Sequence, residues 1–197
     1  MAPLAELAER VRAQLEESCR IKHSFSAELV TRVAQLAERA GAAISAGGKL
    51  VLFGNGGSAA DAQHLAAEFV VRLRDDRPAM PAMALTTNTS VLTAASNDFG
   101  FEQVFARQVE ALVARGDLLL ALSTSGSSPN VLRAVEAGRR RGAFLAAMTG
   151  ESGGALAGLV DLLLNVPSRD PQRIQESHIT MGHIVCSLVE QMRPWAG

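Results

Sequence analysis

Tyrosine is missing from this chain, tryptophan occurs once, and cysteine only twice. With so few large rings, the core has to be assembled mainly from alanine, leucine and valine. The two thiols, Cys19 and Cys186, stand far apart and in no metal or redox spacing. That argues against a disulfide framework and a thiolate zinc site, and predicts reduced thiols in a cytoplasmic protein. Neither sign of charge dominates: 19 Lys and Arg are set against 20 Asp and Glu. A basic stripe for nucleic acid or a polybasic membrane patch is therefore not expected. No apolar run is long enough to span a bilayer. The first six residues begin an amphipathic helix and lack the apolar block of a signal peptide.

The length of 197 residues suits one domain with some added helix. Leu4, Leu7, Val11 and Leu15 form a helical stripe over residues 3–20, and Phe25, Leu29, Val33, Leu36, Ala40 and Ile44 form another over 24–45. Gly47 and Gly48 stop the second helix. Two amphipathic helices before the first strand exceed what one sheet needs, which points to packing against another subunit. The alternative is that they only cover this subunit's own sheet. From residue 49 onward, short apolar runs at 49–53, 81–85, 117–122, 143–148 and 161–166 alternate with helical patterns at 58–72, 89–96, 101–114, 129–141, 154–159 and 172–192. Strands this uniformly apolar belong to a parallel sheet covered on both faces. The expectation is an α/β fold: a three-layer α-β-α sandwich around a five-stranded parallel, flavodoxin-like sheet, with N-terminal helices added.

The stretch Gly54-Asn55-Gly56-Gly57-Ser58 follows the first strand and opens a helix. Its glycines permit a tight turn and close backbone approach to a ligand. Ser58 reads as the N-cap, with Asp61 three residues on. A helix N-terminus at the end of a strand suits an anion. At 100° per residue, Asp61, His64, Glu68 and Arg72 fall on one face of that helix, and the spacing of His64 and Glu68 lets them serve one metal or one substrate. The plain alternative is a solvated polar face.

A second loop, Ser123-Thr124-Ser125-Gly126-Ser127-Ser128, follows the third strand, with Pro129 as first helical residue. Dense in hydroxyls and free of Lys and Arg, it suits a phosphate held by hydroxyls, backbone N–H groups and a helix dipole. It is no Walker loop, and the first loop lacks the third glycine of a dinucleotide fingerprint. Asn97-Asp98-Phe99-Gly100 reads as a polar turn between two helices. On the last helix, Gln175, Gly182, His183 and Cys186 share one face, apart from the apolar arc of Met181, Ile184, Val185 and Leu188. His178, at the edge of that arc, reads as a core histidine.

Taken together, these motifs resemble the sugar isomerase (SIS) domain family over nearly the whole chain. The loops carry the general likeness. The joint presence of His64, Glu68, Gln175 and His183 carries the likeness to the family's isomerases. The resemblance implies a SIS domain over residues 47–197 and a helical pair over 1–46 that serves oligomerisation. It implies an aldose–ketose isomerase of sedoheptulose 7-phosphate. Asn55, Gly56, Gly57, Ser58, Glu68, Asn97, Asp98 and Gln175 would contact the sugar; Ser123, Thr124, Ser125 and Ser128 would hold the phosphate. Glu68 and His183 would be the acid/base pair. Zinc would be the cofactor, with His64, Glu68, Gln175 and His183 in the ligand positions. Self-association as a homotetramer with shared active sites is also implied. One departure is Gln172, where some members carry an acid. Moving a carbonyl between C1 and C2 needs one base to shuttle a proton through an enediol and a second group to trade protons with the oxygens. Because a tightly metal-bound carboxylate is a poor base, Glu68 is expected to touch any metal loosely. Two other readings stay open: a non-catalytic SIS adaptor associating with the bacterial replication initiator, and an isomerase or sensor of another sugar phosphate.

Overall fold

All five apolar runs become strands in the computed structural model, which describes residues 2–195. They are β1 (Leu50–Gly54), β2 (Ala82–Ala84), β3 (Leu118–Ser123), β4 (Phe144–Thr149) and β5 (Leu162–Asn165). Every pairing is parallel, and the order is β2-β1-β3-β4-β5, the flavodoxin-like arrangement. Among the described residues, seven α-helices accompany them: α1 (Leu4–His23), α2 (Ala27–Ser45), α3 (Gly57–Val70), α4 (Thr89–Phe99), α5 (Ala106–Leu112), α6 (Pro129–Arg141) and α7 (Pro171–Met192).

Side-chain alternation along the central strand divides the core in two. Leu118, Leu120 and Leu122 of β3 point to one face, where α2, α3 and α7 bring Leu36, Leu65 and Val185. Leu119 and Ala121 point to the other, where α4, α5 and α6 bring Ala95, Val109 and Val131. Both faces of β1 and β3 are fully buried, so neither strand has room for a polar residue before its last position.

The N-terminal helices part ways. Helix α2 buries Leu29, Val33, Leu36, Ala40 and Ile44 against this chain's own sheet. Helix α1 buries only Ile21 and leaves Leu4, Leu7, Val11 and Leu15 exposed, by 82%, 46%, 60% and 63%. Among the described residues, no helix is long and apolar enough to cross a membrane.

Three local expectations are corrected. The pattern at 101–114 is not one helix: a 3-10 turn (Phe101–Gln103) precedes α5, and Val113 turns extended to bury its side chain completely. Residues 154–158 form a 3-10 turn rather than an α-helix. Helix α4 runs on to Phe99 and ends at Gly100 with φ +84°, so Asn97 and Asp98 lie in its last turn, not in a turn between helices.

Candidate functional site

The sheet's switch point lies between β1 and β3. The helix after β1 covers one face and the helix after β3 covers the other, which opens a crevice beyond the strands' carboxyl ends. Both loops singled out by the sequence enter this crevice.

In the first loop, Gly56 takes φ +55° and ψ −122° and occupies the N-cap position of α3. Ser58 is therefore not the cap. It sits inside the first turn, buried to 3% exposure, and the expected capping box with Asp61 does not form. In the second loop, Ser128 does occupy the N-cap position of α6, with Pro129 next, but its hydroxyl makes no capping bond. Two helices thus begin beside each other without a side-chain cap; Ala59 and Val131 N–H turn back to the Gly56 and Ser128 carbonyls, and no capping side chain takes the N–H groups before them. An anion is the natural complement. A reciprocal amide pair links the two starts: Asn55 Nδ2 donates to Asn130 Oδ1 (2.9 Å), and Asn130 Nδ2 donates to Asn55 Oδ1 (2.8 Å). Sequence reasoning missed Asn130, because no local pattern marks a partner that lies 75 positions away.

The serine loop is braced by its own backbone. Gly126 N–H donates to the Ser123 carbonyl and hydroxyl, both at 3.2 Å, and Ser127 N–H donates to Ser125 Oγ at 3.2 Å. Gly126 has φ +64°, and a Cβ there would collide with the Gly153 carbonyl. Gly150 N–H donates to the Thr124 carbonyl and Leu156 N–H to the Gly126 carbonyl, both at 3.0 Å. Ser123 is buried, Thr124 and Ser128 are half-buried, and Ser125 is exposed.

Helices α3 and α7 lie side by side. At Gly182 a Cβ would come 2.6 Å from Leu65 Cδ1, so glycine is what lets the helices approach. Further toward the crevice, the Gln175 amide rests on Gly57, where a Cβ would lie 2.7 Å from Gln175 Nε2. About two turns along, His64 Nε2 is 2.8 Å from His183 Nε2 and 3.3 Å from Glu68 Oε1. The rings meet edge to face, with centroids 5.0 Å apart. The two ring nitrogens are within hydrogen-bonding distance, with donor and acceptor roles set by the tautomers. The donor atoms of His64, Glu68 and His183 all lie within 4.8 Å of one another. Two imidazoles and a carboxylate are a donor set that fits zinc. Gln175 stays at the glycine loop, roughly 12 Å of helix rise before His183. Asn97 and Asp98 are exposed on α4, where Asn97 Nδ2 donates to Asp98 Oδ1 at 2.8 Å. Gln172 is exposed in the first turn of α7, its N–H bonded to the Asp170 cap.

Burial shapes the groups around the cluster. It raises Asp61 above the usual carboxylate range against the opposing pull of His64 and His183, and Asp61 Oδ2 is buried with no hydrogen-bond partner among the described residues. Burial also lowers His178 to about 4, against its bond to Thr149. Its Nε2 donates to the Thr149 carbonyl at 3.2 Å, so it is a neutral core histidine, as expected. The Cys186 thiol is pushed up to about 12 by burial and then by Glu68 and Glu190, which leaves it inert. Cys19 and Cys186 are both free.

A flavodoxin-like sheet with two uncapped helix starts at its switch point, beside an imidazole–carboxylate cluster, defines an α/β protein built for a phosphorylated small molecule. A SIS domain family model matches residues 15–150. The phosphoheptose isomerase of Desulfovibrio desulfuricans is 52% identical over 180 residues, covering 91% of this chain and 86% of that protein. The solved phosphoheptose isomerase from Neisseria gonorrhoeae superposes with a TM-score of 0.89 at 45% identity, covering 94% of this chain and 99% of that one. The one from Francisella tularensis gives 0.90 at 36% identity, covering 93% and 98%. The chain belongs to the SIS domain family and, within it, to the phosphoheptose isomerases.

Proposed function

We propose that this chain isomerises sedoheptulose 7-phosphate to D-glycero-D-manno-heptose 7-phosphate through an enediol, the first step toward a nucleotide-activated heptose. The observation that carries the reading is the His64–Glu68–His183 cluster on paired helices, next to two uncapped helix starts. Ser123, Thr124, Ser125 and Ser128, with the N-terminus of α6, hold the phosphate. Asn55, Gly56, Gly57, Ser58 and Gln175 contact the sugar from the glycine loop, with Asn97 and Asp98 contributing from α4. Glu68 takes a proton from one of the two carbons and returns it to the other. His183 moves protons to and from the oxygens and assists ring opening. His64, Glu68 and His183 would hold zinc, with Gln175 proposed for the fourth donor position. Bound there, the ion would polarise the sugar carbonyl. An adaptor that only binds partners would have no use for this cluster.

The exposed stripe of α1 supports self-association, and we assign residues 1–46 to assembly as a homotetramer and residues 47–197 to the SIS domain itself. The balanced charge and free thiols support a cytoplasmic location. The test is incubation with sedoheptulose 7-phosphate, with and without added zinc, followed by detection of the aldose. No aldose under either condition, with the sugar phosphate still bound, would return the adaptor or sensor reading. Stimulation by zinc that is lost on chelation would support the cofactor assignment.

A further inference from the structure

Helix α3 ends at Val70, soon after Glu68, so its last carbonyls lack helical donors. One side chain from the following segment donates to two of them, Glu68 and Phe69. Arg77 Nη2 donates to the Glu68 carbonyl at 2.6 Å, and Nη1 donates to the carbonyls of Phe69 (2.8 Å) and Pro78 (3.0 Å). Its Nε donates to Glu190 Oε1 at 2.9 Å. Glu190 lies two turns beyond His183 on α7. Its carboxylate also accepts Leu73 N–H at 2.9 Å and Arg74 N–H at 3.3 Å. The two charged side chains are 2% and 3% exposed. One guanidinium is therefore fastened at one edge to the backbone of Glu68 and at the other to the helix that carries His183.

A buried ion pair is weak evidence for a stabilising role, since apolar replacements of similar shape are often neutral. What this pair does define is geometry. The planar fork bonds two adjacent carbonyls of α3 while its third nitrogen reaches across to α7, an arrangement a lysine ammonium cannot copy. We propose that Arg77 is a positioning residue for the isomerisation: together with Glu190 it holds the Glu68 carboxylate in register with the His183 imidazole. The proposal rests on Glu68 and His183 being the acid/base pair.

The test compares Arg77→Lys, the double variant Arg77→Met/Glu190→Leu and Glu68→Gln in the full-length protein. Thermal unfolding, kcat, KM and solvent-deuterium exchange at C1/C2 are measured on each. For Arg77→Lys the expected result is cooperative unfolding above the assay temperature and KM within about twofold of wild type. The same variant should lose about 10- to 100-fold in kcat, matched by the loss in exchange, as a displaced catalytic group gives. The double variant removes both charges, so it keeps the question answerable if the lysine variant folds poorly; the same split is expected. A lower unfolding temperature with wild-type kcat and exchange per folded molecule would make the pair merely structural and overturn the proposal. If Glu68→Gln abolishes exchange while both Arg77 variants exchange normally, only the positioning role falls. If Glu68→Gln exchanges at the wild-type rate, the acid/base assignment falls, and the positioning proposal with it.

Discussion

The two ends of the crevice are made rigid by opposite means. The serine loop is held by backbone: Gly126 N–H on Ser123, Gly150 N–H on Thr124, Leu156 N–H on Gly126. The Ser123 and Ser125 oxygens each accept one loop N–H, which leaves their hydroxyl protons for a ligand. The cluster end is held by side chains from distant parts of the chain: the glycine contact of Gly182 with Leu65, and the Arg77–Glu190 pair beneath Glu68. The difference suits the two tasks. Holding a phosphate needs donors that stay fixed from ground state to transition state. Moving a proton needs a carboxylate and an imidazole placed against each other, and their helices are set by packing rather than by a turn.

This contrast can be broken most severely at Glu68. Glu68→Gln keeps the shape and removes the base. It should cut kcat by about 10²- to 10⁴-fold and nearly abolish C1/C2 proton exchange, while calorimetric binding of the sugar phosphate changes little. A variant that still exchanges at the wild-type rate would pass the base role to His183.

His178 joins the two ends, for it sits on α7 and bonds Thr149, next to the Gly150 that braces the serine loop. Burial lowers it to about 4, so the folded state prefers the neutral ring. As pH falls, the unfolded chain takes up this proton first, near the ordinary value of 6.5. The contribution is therefore fully present above pH 6.5 and is lost on acidification toward pH 4, by roughly 3 kcal/mol. His178→Gln should lack that part of the slope in urea unfolding followed against pH. An unchanged slope would show that His178 is not buried neutral.

At the phosphate end the effect is smaller and falls on binding. Ser125 is the cleaner target: each hydroxyl accepts one loop N–H, but Ser123 is buried and Ser125 is exposed. Ser125→Ala should raise KM by about tenfold and change kcat far less, because the lost contact acts throughout the reaction. A loss confined to kcat would move Ser125 to the chemical step and erase the distinction drawn above.

Val11, on the exposed stripe of α1, lies outside both regions. Val11→Asp should change the stability of a single chain by no more than about 0.5 kcal/mol. It should nevertheless lower the mass seen by light scattering at micromolar concentration. If activity falls with the mass, a neighbouring subunit contributes to the crevice. An unchanged mass would remove α1 from the assembly.

Much of this was written locally. The five strands were legible because a parallel strand buried on both faces must be apolar at every position, and runs such as Leu50-Val51-Leu52-Phe53 have no other role. His64 and Glu68 were legible as a pair because helical spacing alone puts them on one face. The Gln175 and His183 face of α7 could be drawn in the same way. Local reading failed where two local rules compete. Ser58 has a cap's chemistry, yet Gly56 can take the positive φ and starts the helix first. Asn97 and Asp98 have a turn's chemistry, but Gly100 ends α4 only after them.

The rest was decided by tertiary structure. Crossovers on opposite sides of β1 and β3 make the crevice, and that topology brings Asn55 to Asn130. The side-by-side packing of α3 and α7 turns two separate polar faces into one cluster, with His64 and His183 in contact although 119 positions separate them. Nothing in the local sequence marks Arg77 or Glu190; only the fold buries both and aims one at the backbone of Glu68. Most of the elements, and the polar faces they carry, follow from a residue's nearest neighbours along the chain. Which polar faces meet, and at what distance, depended on how the sheet closes and the helices pack, because no periodicity encodes a contact between residues more than a hundred positions apart.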